Sequence, residues 1–272
     1  MINAKKYQIF FSMILILSVF GLNCALNIFP VSDDIKLGKQ IDDEIRKNPK
    51  EYPILQNHPE VKEYITVIGN KITMSPAITK RGIFAYSYEI IANDSVVNAF
   101  CTPGGYIYIY TGLLKFVDDE ATLAGIIGHE IAHAECRHAT KRMTKVYGAQ
   151  FLLGLILGEK PAKIAEITAN LFTGLALLAN SRSDETEADE YSIKYLASTE
   201  YYPGAIKFFF EKIKKVSGRR SSGTLERLLS THPLDDDRIA HVDQVLAKMS
   251  VGSPSESNIF SERYKSLKSK LP

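Results

Sequence analysis

The stretch GIIGHEIAHAECRHAT, residues 125–140, decides how this chain is read. Three histidines and two glutamates interrupt a run that is otherwise apolar and small-sided, the composition of a buried helix. His129 and His133 stand four positions apart. On a helix that stacks their imidazoles one turn apart on one face, within reach of a single metal ion. Glu130 follows the first histidine, placed beside such an ion to take a proton from water. Two histidines that only satisfied core hydrogen bonds would leave the glutamate unexplained. His138 lies nine positions beyond His129, half a turn off the ligand face, and cannot join the same ion unless the helix breaks. It is read as a structural or surface residue.

The His-Glu-x-x-His spacing is that of the zincins, which makes zinc the expected ion, one per chain. A third histidine ligand of the metzincin kind would need histidine at 139 and glycine at 136; the chain has Ala139 and Cys136. The third ligand should therefore be a carboxylate further on. SRSDETEADEYS (181–192) offers Asp184, Glu185, Glu187, Asp189 and Glu190. Glu185 and Asp189 share a helix face, so one could bind the ion while the other orients a histidine through its free ring N–H. Spacing leaves that choice open. Glu187 points away from that face and is expected in solvent.

Outward from the helix, FAYSYEIIANDSVVNAFCTPGGYIYIYTGLL (84–114) changes to a period of two. It reads as strands broken by turns at Asn93-Asp94 and Pro103-Gly104-Gly105, forming a small antiparallel sheet. The acidic Asp118-Asp119-Glu120 suits a helix N-terminus, and the helix is expected to run to about Met143. Amphipathic helices are predicted over 32–48 and 58–74, with Ser32 or Asp33 as a cap and His58 a surface residue. The apolar runs 151–158 and 171–179 are each too short to span a bilayer and read as core helices, a membrane-facing hairpin being the alternative. Helices follow at 184–198, 203–216 and 235–249, with SGRRSSG (217–223) a flexible loop and a polar, peripheral tail from 250.

With 272 residues, 45% of them hydrophobic, the chain can build one substantial core. A net charge of +2 gives no footprint for nucleic acid. Cys24, Cys101 and Cys136 are an odd count without disulfide spacing, and the last two are expected as buried thiols. Lys5 and Lys6 precede the apolar run 7–29 in the manner of an export signal. Cys24 sits just after the apolar core, where a lipoprotein signal places its acylated cysteine, although Gly21-Leu22-Asn23 is a poor lipobox. An uncleaved membrane anchor is the alternative, ordinary secretion the third. Each puts the body of the protein outside the cytoplasm.

Four stretches, VNAFCTPGGYIYIYTGLL (97–114), HEIAHAECRH (129–138), SRSDETEAD (181–189) and STHPLDDDRI (230–239), together resemble the metallopeptidase family of the CAAX prenyl protease, bacterial HtpX, the mitochondrial Oma protease and periplasmic BepA. The resemblance implies Glu185 as the third zinc ligand, with Asp189 behind a histidine. It also implies an active-site place for His232-Pro233, with His232 as an oxyanion donor or as a plug on the metal. Lacking a cluster of spanning helices, the chain looks like the soluble or lipid-anchored bacterial members; it leaves no room for the helical-repeat module of BepA.

The expectation is an α+β fold, a mostly helical zincin-like domain over 32–249 with a small sheet against the His-Glu-x-x-His helix. A signal or anchor segment covers 1–24 and a peripheral tail 250–272. The expected function is zinc-dependent endopeptidase action on misfolded or unassembled envelope proteins, on the periplasmic side and attached to the membrane. Glu130 is the base, and Asn98, Ala99 and Phe100 form a strand edge for extended substrates. A chaperone-like assembly protein that binds unfolded chains and seldom cuts them is the alternative reading.

Overall fold

The computed structural model describes residues 27, 29–166, 180–217, 223–234 and 236–272. Cys24, the whole 1–24 segment, the apolar run 171–179 and most of the 217–223 loop lie outside them. Among the described residues no helix is long and apolar enough to cross a membrane.

Helix α1 (Val31–Lys47) buries Leu37, Ile41 and Ile45, and α2 (Pro59–Thr73) buries Val61, Ile65, Ile68 and Ile72. Both stripes follow the 3.6-residue period of an amphipathic helix. Three strands come next: β1 (Ser87–Ile91), β2 (Ala99–Thr102) and β3 (Tyr106–Tyr110). Side-chain alternation gives the sheet two buried faces. Ile90, Ala99, Ile107 and Ile109 join one apolar cluster, with α2. Phe100, Tyr108 and Tyr110 join a second, with α1.

The sheet order is β1-β3-β2, with β3 antiparallel to β2 but parallel to β1. The expected all-antiparallel sheet is thus mixed. Alternation reveals faces but not neighbours. The loop after β1 is pinned by Asp94, which accepts from Thr111 Oγ1 at 2.6 Å, and β1 arrives on the far side of β3. The outer edge of β2 stays free of any partner strand among the described residues.

A short helix, α3 (Thr111–Phe116), leads to α4 (Glu120–Glu135). The Asp119 carboxylate caps α4 by accepting from the Thr122 N–H at 2.7 Å. All sixteen residues of α4 are buried. It does not continue to Met143: Arg137 adopts a left-handed conformation, φ 58°, and a separate α5 (His138–Tyr147) begins. Then come α6 (Ala149–Ile156), α7 (Arg182–Leu196), α8 (Ile206–Ser217), α9 (Gly223–Thr231) and α10 (Asp236–Ala247). Helix α9 occupies a stretch for which no element was predicted.

Residues 250–272 are not peripheral. Helices α11 (Glu256–Ile259) and α12 (Ser261–Lys268) return to the core. There Tyr264 and Leu267 are buried, the Tyr264 hydroxyl donates to the Leu114 carbonyl at 2.7 Å, and Arg263 donates to the buried Glu120 carboxylate from Nε at 2.5 Å. The result is a mostly helical α+β fold with a small sheet against the helix that carries the histidines.

Candidate metal centre

Two helices must lie unusually close to assemble this site, and glycines allow it. A Cβ on Gly125 would stand 2.8 Å from the Ile206 main-chain nitrogen, and one on Gly128 would stand 2.8 Å from Ser192 Oγ. With hydrogen there instead, Ser192 Oγ donates to the Gly125 carbonyl at 2.8 Å and locks α7 onto α4. Helix α7 opens with a capping box in which Ser181 and Asp184 satisfy each other's main-chain N–H groups. Glu185 therefore sits in the first turn, facing the histidines.

The ring atoms His129 Nε2 and His133 Nε2 lie 2.9 Å apart. Glu185 closes the triangle, with Oε2 3.4 Å from His129 Nε2 and Oε1 3.2 Å from His133 Nε2. His232 stands at the fourth corner, Nδ1 3.0 Å from Glu185 Oε1. One donor atom from each of the four falls within 4.8 Å of the others, and all four residues are buried. Two imidazoles and a carboxylate converging in a dry pocket are the donor set of a catalytic metal site. Their electrostatics agree. Burial opposes charge on His129, yet Glu185 and Asp189 outweigh it and push its pKa up to about 10. Burial also opposes charge on Glu185, and His232 and His129 nonetheless hold its pKa well below the carboxylate range. The pocket is built to receive positive charge.

Around this cluster every donor is itself held. Asp189 Oδ1 lies 2.8 Å from His129 Nδ1, an orientation that leaves Nε2 for a metal. Arg238 reaches Asp189 with two parallel hydrogen bonds of 2.8 Å and sets Nη1 2.8 Å from Glu185 Oε2. Its guanidinium also stacks on Phe210, 4.3 Å from the ring centre. Arg238 was quoted in a motif without a role; nothing in its spacing showed that it would bridge the two carboxylates. Asn180 was likewise missed, and its amide nitrogen lies 3.3 Å from both His133 Nε2 and His232 Nδ1.

His138 is the larger surprise. The helix break at Arg137 swings it back so that its Nδ1 lies 2.7 Å from His133 Nδ1, while its Nε2 lies 2.9 Å from Glu187 Oε2. It is buried and structural, as one of the two readings had it, but it stands directly behind a site histidine. Glu187, expected free in solvent, is half-exposed and completes that chain.

Glu130 is buried at the mouth of the cluster, its Oε1 3.7 Å from His232 Nε2. Burial raises its pKa, against the pull of His232, His129 and a main-chain hydrogen bond from Cys101. That contact sets β2 beside Glu130. Since the Tyr110 N–H bonds to the Asn98 carbonyl at 3.1 Å, bonded pairs alternate through Phe100↔Tyr108 and Thr102↔Tyr106. The N–H and C=O of Ala99 and Cys101 turn to the free edge, beside Glu130. Phe100 turns its main chain into the sheet. An apolar cavity opens next to His129 and Glu130, lined by Leu113, Ile126, Ile206, Phe209, Phe210 and Ile213 among others. Cys101 and Cys136 are both free thiols.

Comparison with known proteins agrees with this geometry. The model of Peptidase family M48 matches residues 59–246. The chain is similar to the mitochondrial metalloendopeptidase OMA1 of Arabidopsis thaliana, 38% identical over 149 residues, covering 54% of this chain and 29% of the relative. It is also similar to the beta-barrel assembly-enhancing protease of Escherichia coli (strain K12), 28% identical over 195 residues, 68% of this chain and 39% of the relative. The mitochondrial metalloendopeptidase OMA1 of Bos taurus is 31% identical over 176 residues, 61% and 34% respectively. The chain thus spans between about three tenths and two fifths of the length of these relatives.

Proposed function

The chain belongs to peptidase family M48, and on that premise we propose that it is a zinc-dependent endopeptidase acting on unfolded or unassembled proteins of the cell envelope. The observation that carries the proposal is the converging set of His129 Nε2, His133 Nε2 and Glu185, with Glu130 buried beside it. His129, His133 and Glu185 would hold one zinc ion. Bound zinc supplies Lewis acidity, acidifying water towards a pKa of ~7 and polarising a peptide carbonyl. Glu130 takes the proton of the attacking water and passes it to the leaving amine, work that its raised pKa suits. Asp189 and His138 keep the two histidines in the tautomer that presents Nε2 to the metal.

Two features support unfolded chains as substrates. The free main-chain groups of Ala99 beside Asn98 and Phe100 can pair with any extended backbone, which gives affinity without sequence preference. The cavity beside Glu130 is walled by apolar side chains, a surface that suits the apolar residues folded proteins hide. The names of the relatives favour an envelope or organelle-membrane setting: one enhances beta-barrel assembly, others are mitochondrial. The N-terminal segment fits that setting as an export signal with acylation at Cys24; in that case Cys24→Ser accumulates as precursor, and a mature chain starting elsewhere refutes it.

His232 we assign to the resting state. Its place at the fourth corner of the cluster is the position a catalytic metal must keep open. His232→Ala should cleave faster and less selectively. Slower cleavage with unchanged zinc would make His232 an oxyanion donor instead, at a cost of roughly 10²–10³ in turnover. The deciding experiment for the function itself is degradation of reduced casein by wild type and Glu130→Gln, with zinc measured in both. The variant should keep its zinc and lose about 10²–10⁴ of the rate. Equal activity would refute the enzyme, and binding without cleavage by wild type would leave a chaperone.

A further inference from the structure

A second group of donors lies on the outer side of His133, and of it the proposed reaction uses only His138, as the support of His133. Cys136 Sγ, His138 and the Glu187 carboxylate offer ligand atoms that all fall within 4.8 Å of one another. They come together because α4 ends at Cys136, Arg137 turns left-handed, and His138 opens α5 against the first turns of α7. The set is chemically mixed: a thiol, an imidazole and a carboxylate. It is not an acidic surface patch. His138 is 1% exposed, whereas the Glu187 side chain is 45% exposed, so the group has both a fixed wall and an open side.

The hydrogen bonds determine which atom of His138 is free to bind. His133 turns Nε2 to Glu185 and Nδ1 to His138. With Nε2 acting as a ligand, His133 carries its proton on Nδ1 and donates it to His138 Nδ1. Neutral His138 then holds its own proton on Nε2, which points at Glu187 Oε2, 2.9 Å away. A cation at His138 Nε2 needs the lone pair there, so the ring must move its proton to Nδ1 and give up the bond from His133 Nδ1.

We propose that Cys136, His138 and Glu187 form a second, weaker site for a soft divalent cation of the zinc type. Thiolate with imidazole selects such ions over magnesium or calcium. Binding forms bonds from the cation to Sγ, Nε2 and a carboxylate oxygen; the Cys136 thiol proton goes to solvent, and the His138 proton moves from Nε2 to Nδ1. Tetrahedral zinc, with bonds of ~2.0–2.3 Å, holds its donors about 3.5 Å apart. His138 Nε2 and Glu187 Oε2, 2.9 Å apart, must part slightly to admit the cation, a movement the exposed Glu187 side chain can make. Water completes the shell on the open side.

Occupancy has a consequence that rests on the proposed function. A cation on His138 Nε2 leaves Nδ1 protonated, unable to accept from His133, and takes Glu187 away from the ring N–H. The bond that supports His133 is then lost, and altered support of this kind changes activity or metal affinity by about 10–100-fold. Excess zinc should then slow the enzyme through this site.

The test is a metal titration of the full chain, read by elemental analysis after dialysis against zinc and by the absorbance of cobalt(II). Wild type should take two equivalents. Its second cobalt should bring a thiolate-to-metal band in the near ultraviolet. Cys136→Ser and Cys136→Ala should take one equivalent and lack the band, and Cys101→Ser should keep both. A single equivalent in wild type overturns the site, as does a band that survives Cys136→Ser. Glu185→Ala separates the two readings: loss of one equivalent with the band retained leaves this site standing whatever becomes of the first. In turnover, rising zinc should slow wild type about 10-fold and spare Cys136→Ser; equal slowing of both removes the coupling to His133.

Discussion

His133 is held from both sides, by the cluster at Nε2 and by His138 at Nδ1. A ligand fixed in this way loses little freedom when the metal arrives. His138→Ala should therefore fold and still bind zinc, but about 10–100-fold more weakly, as read by competition with a chromophoric chelator. Affinity equal to wild type would return His138 to mere packing. Arg238 works differently. Its guanidinium stands between Glu185 and Asp189, and both carboxylates are fully buried. Arg238→Met leaves them facing each other without that cation, and the metal-free protein should lose about 3–5 kcal/mol in urea unfolding. Added zinc should restore part of it by mass action. Of these residues, the pair His129 and His133 with Glu130 was legible from four-residue spacing alone. His138 was not, because its position depends on a non-glycine residue at positive φ, Arg137, which no local preference announces. Arg238 was not, because bridging is a matter of tertiary distance.

The elements were easier to foresee than their arrangement. Period-two alternation located β1 and β3, and the 3.6-residue stripes located α1 and α2. Strand order escaped, since a face can be read from alternation while a neighbour cannot. The order matters, because it leaves β2 at the edge beside Glu130. The ladder there yields a paired prediction. Ala99→Pro removes an N–H that points to the free edge, so peptide cleavage should fall while zinc and fold persist. Phe100→Pro removes an N–H within the β2–β3 ladder, so that variant should lose stability first. Cleavage unaffected by Ala99→Pro would place the substrate elsewhere. Helix packing gives another. Gly125→Ala sets a methyl group 2.8 Å from the α8 main chain, and thermal unfolding should register a loss of about 1–3 kcal/mol.

At the scale of the whole molecule, the sheet and helices form one body around α4, closed by the segment from 250 onward. The polar composition of that segment hid its role, because its anchors are few: Tyr264, Leu267 and the Arg263–Glu120 pair. Tyr264→Ala should cost about 3–5 kcal/mol in urea, the range for emptying a buried aromatic position; a variant as stable as wild type would make the segment dispensable. The pairing of Arg263 with Glu120 joins residues 143 positions apart. A ribosome adding about 5–20 residues each second takes roughly 7–30 s to cross that interval. Throughout it, the helix bearing His129 and His133 has been made but lacks the segment that covers its opening turn. A nascent chain thus carries the site's histidines well before the residues that seal their helix into the finished core exist.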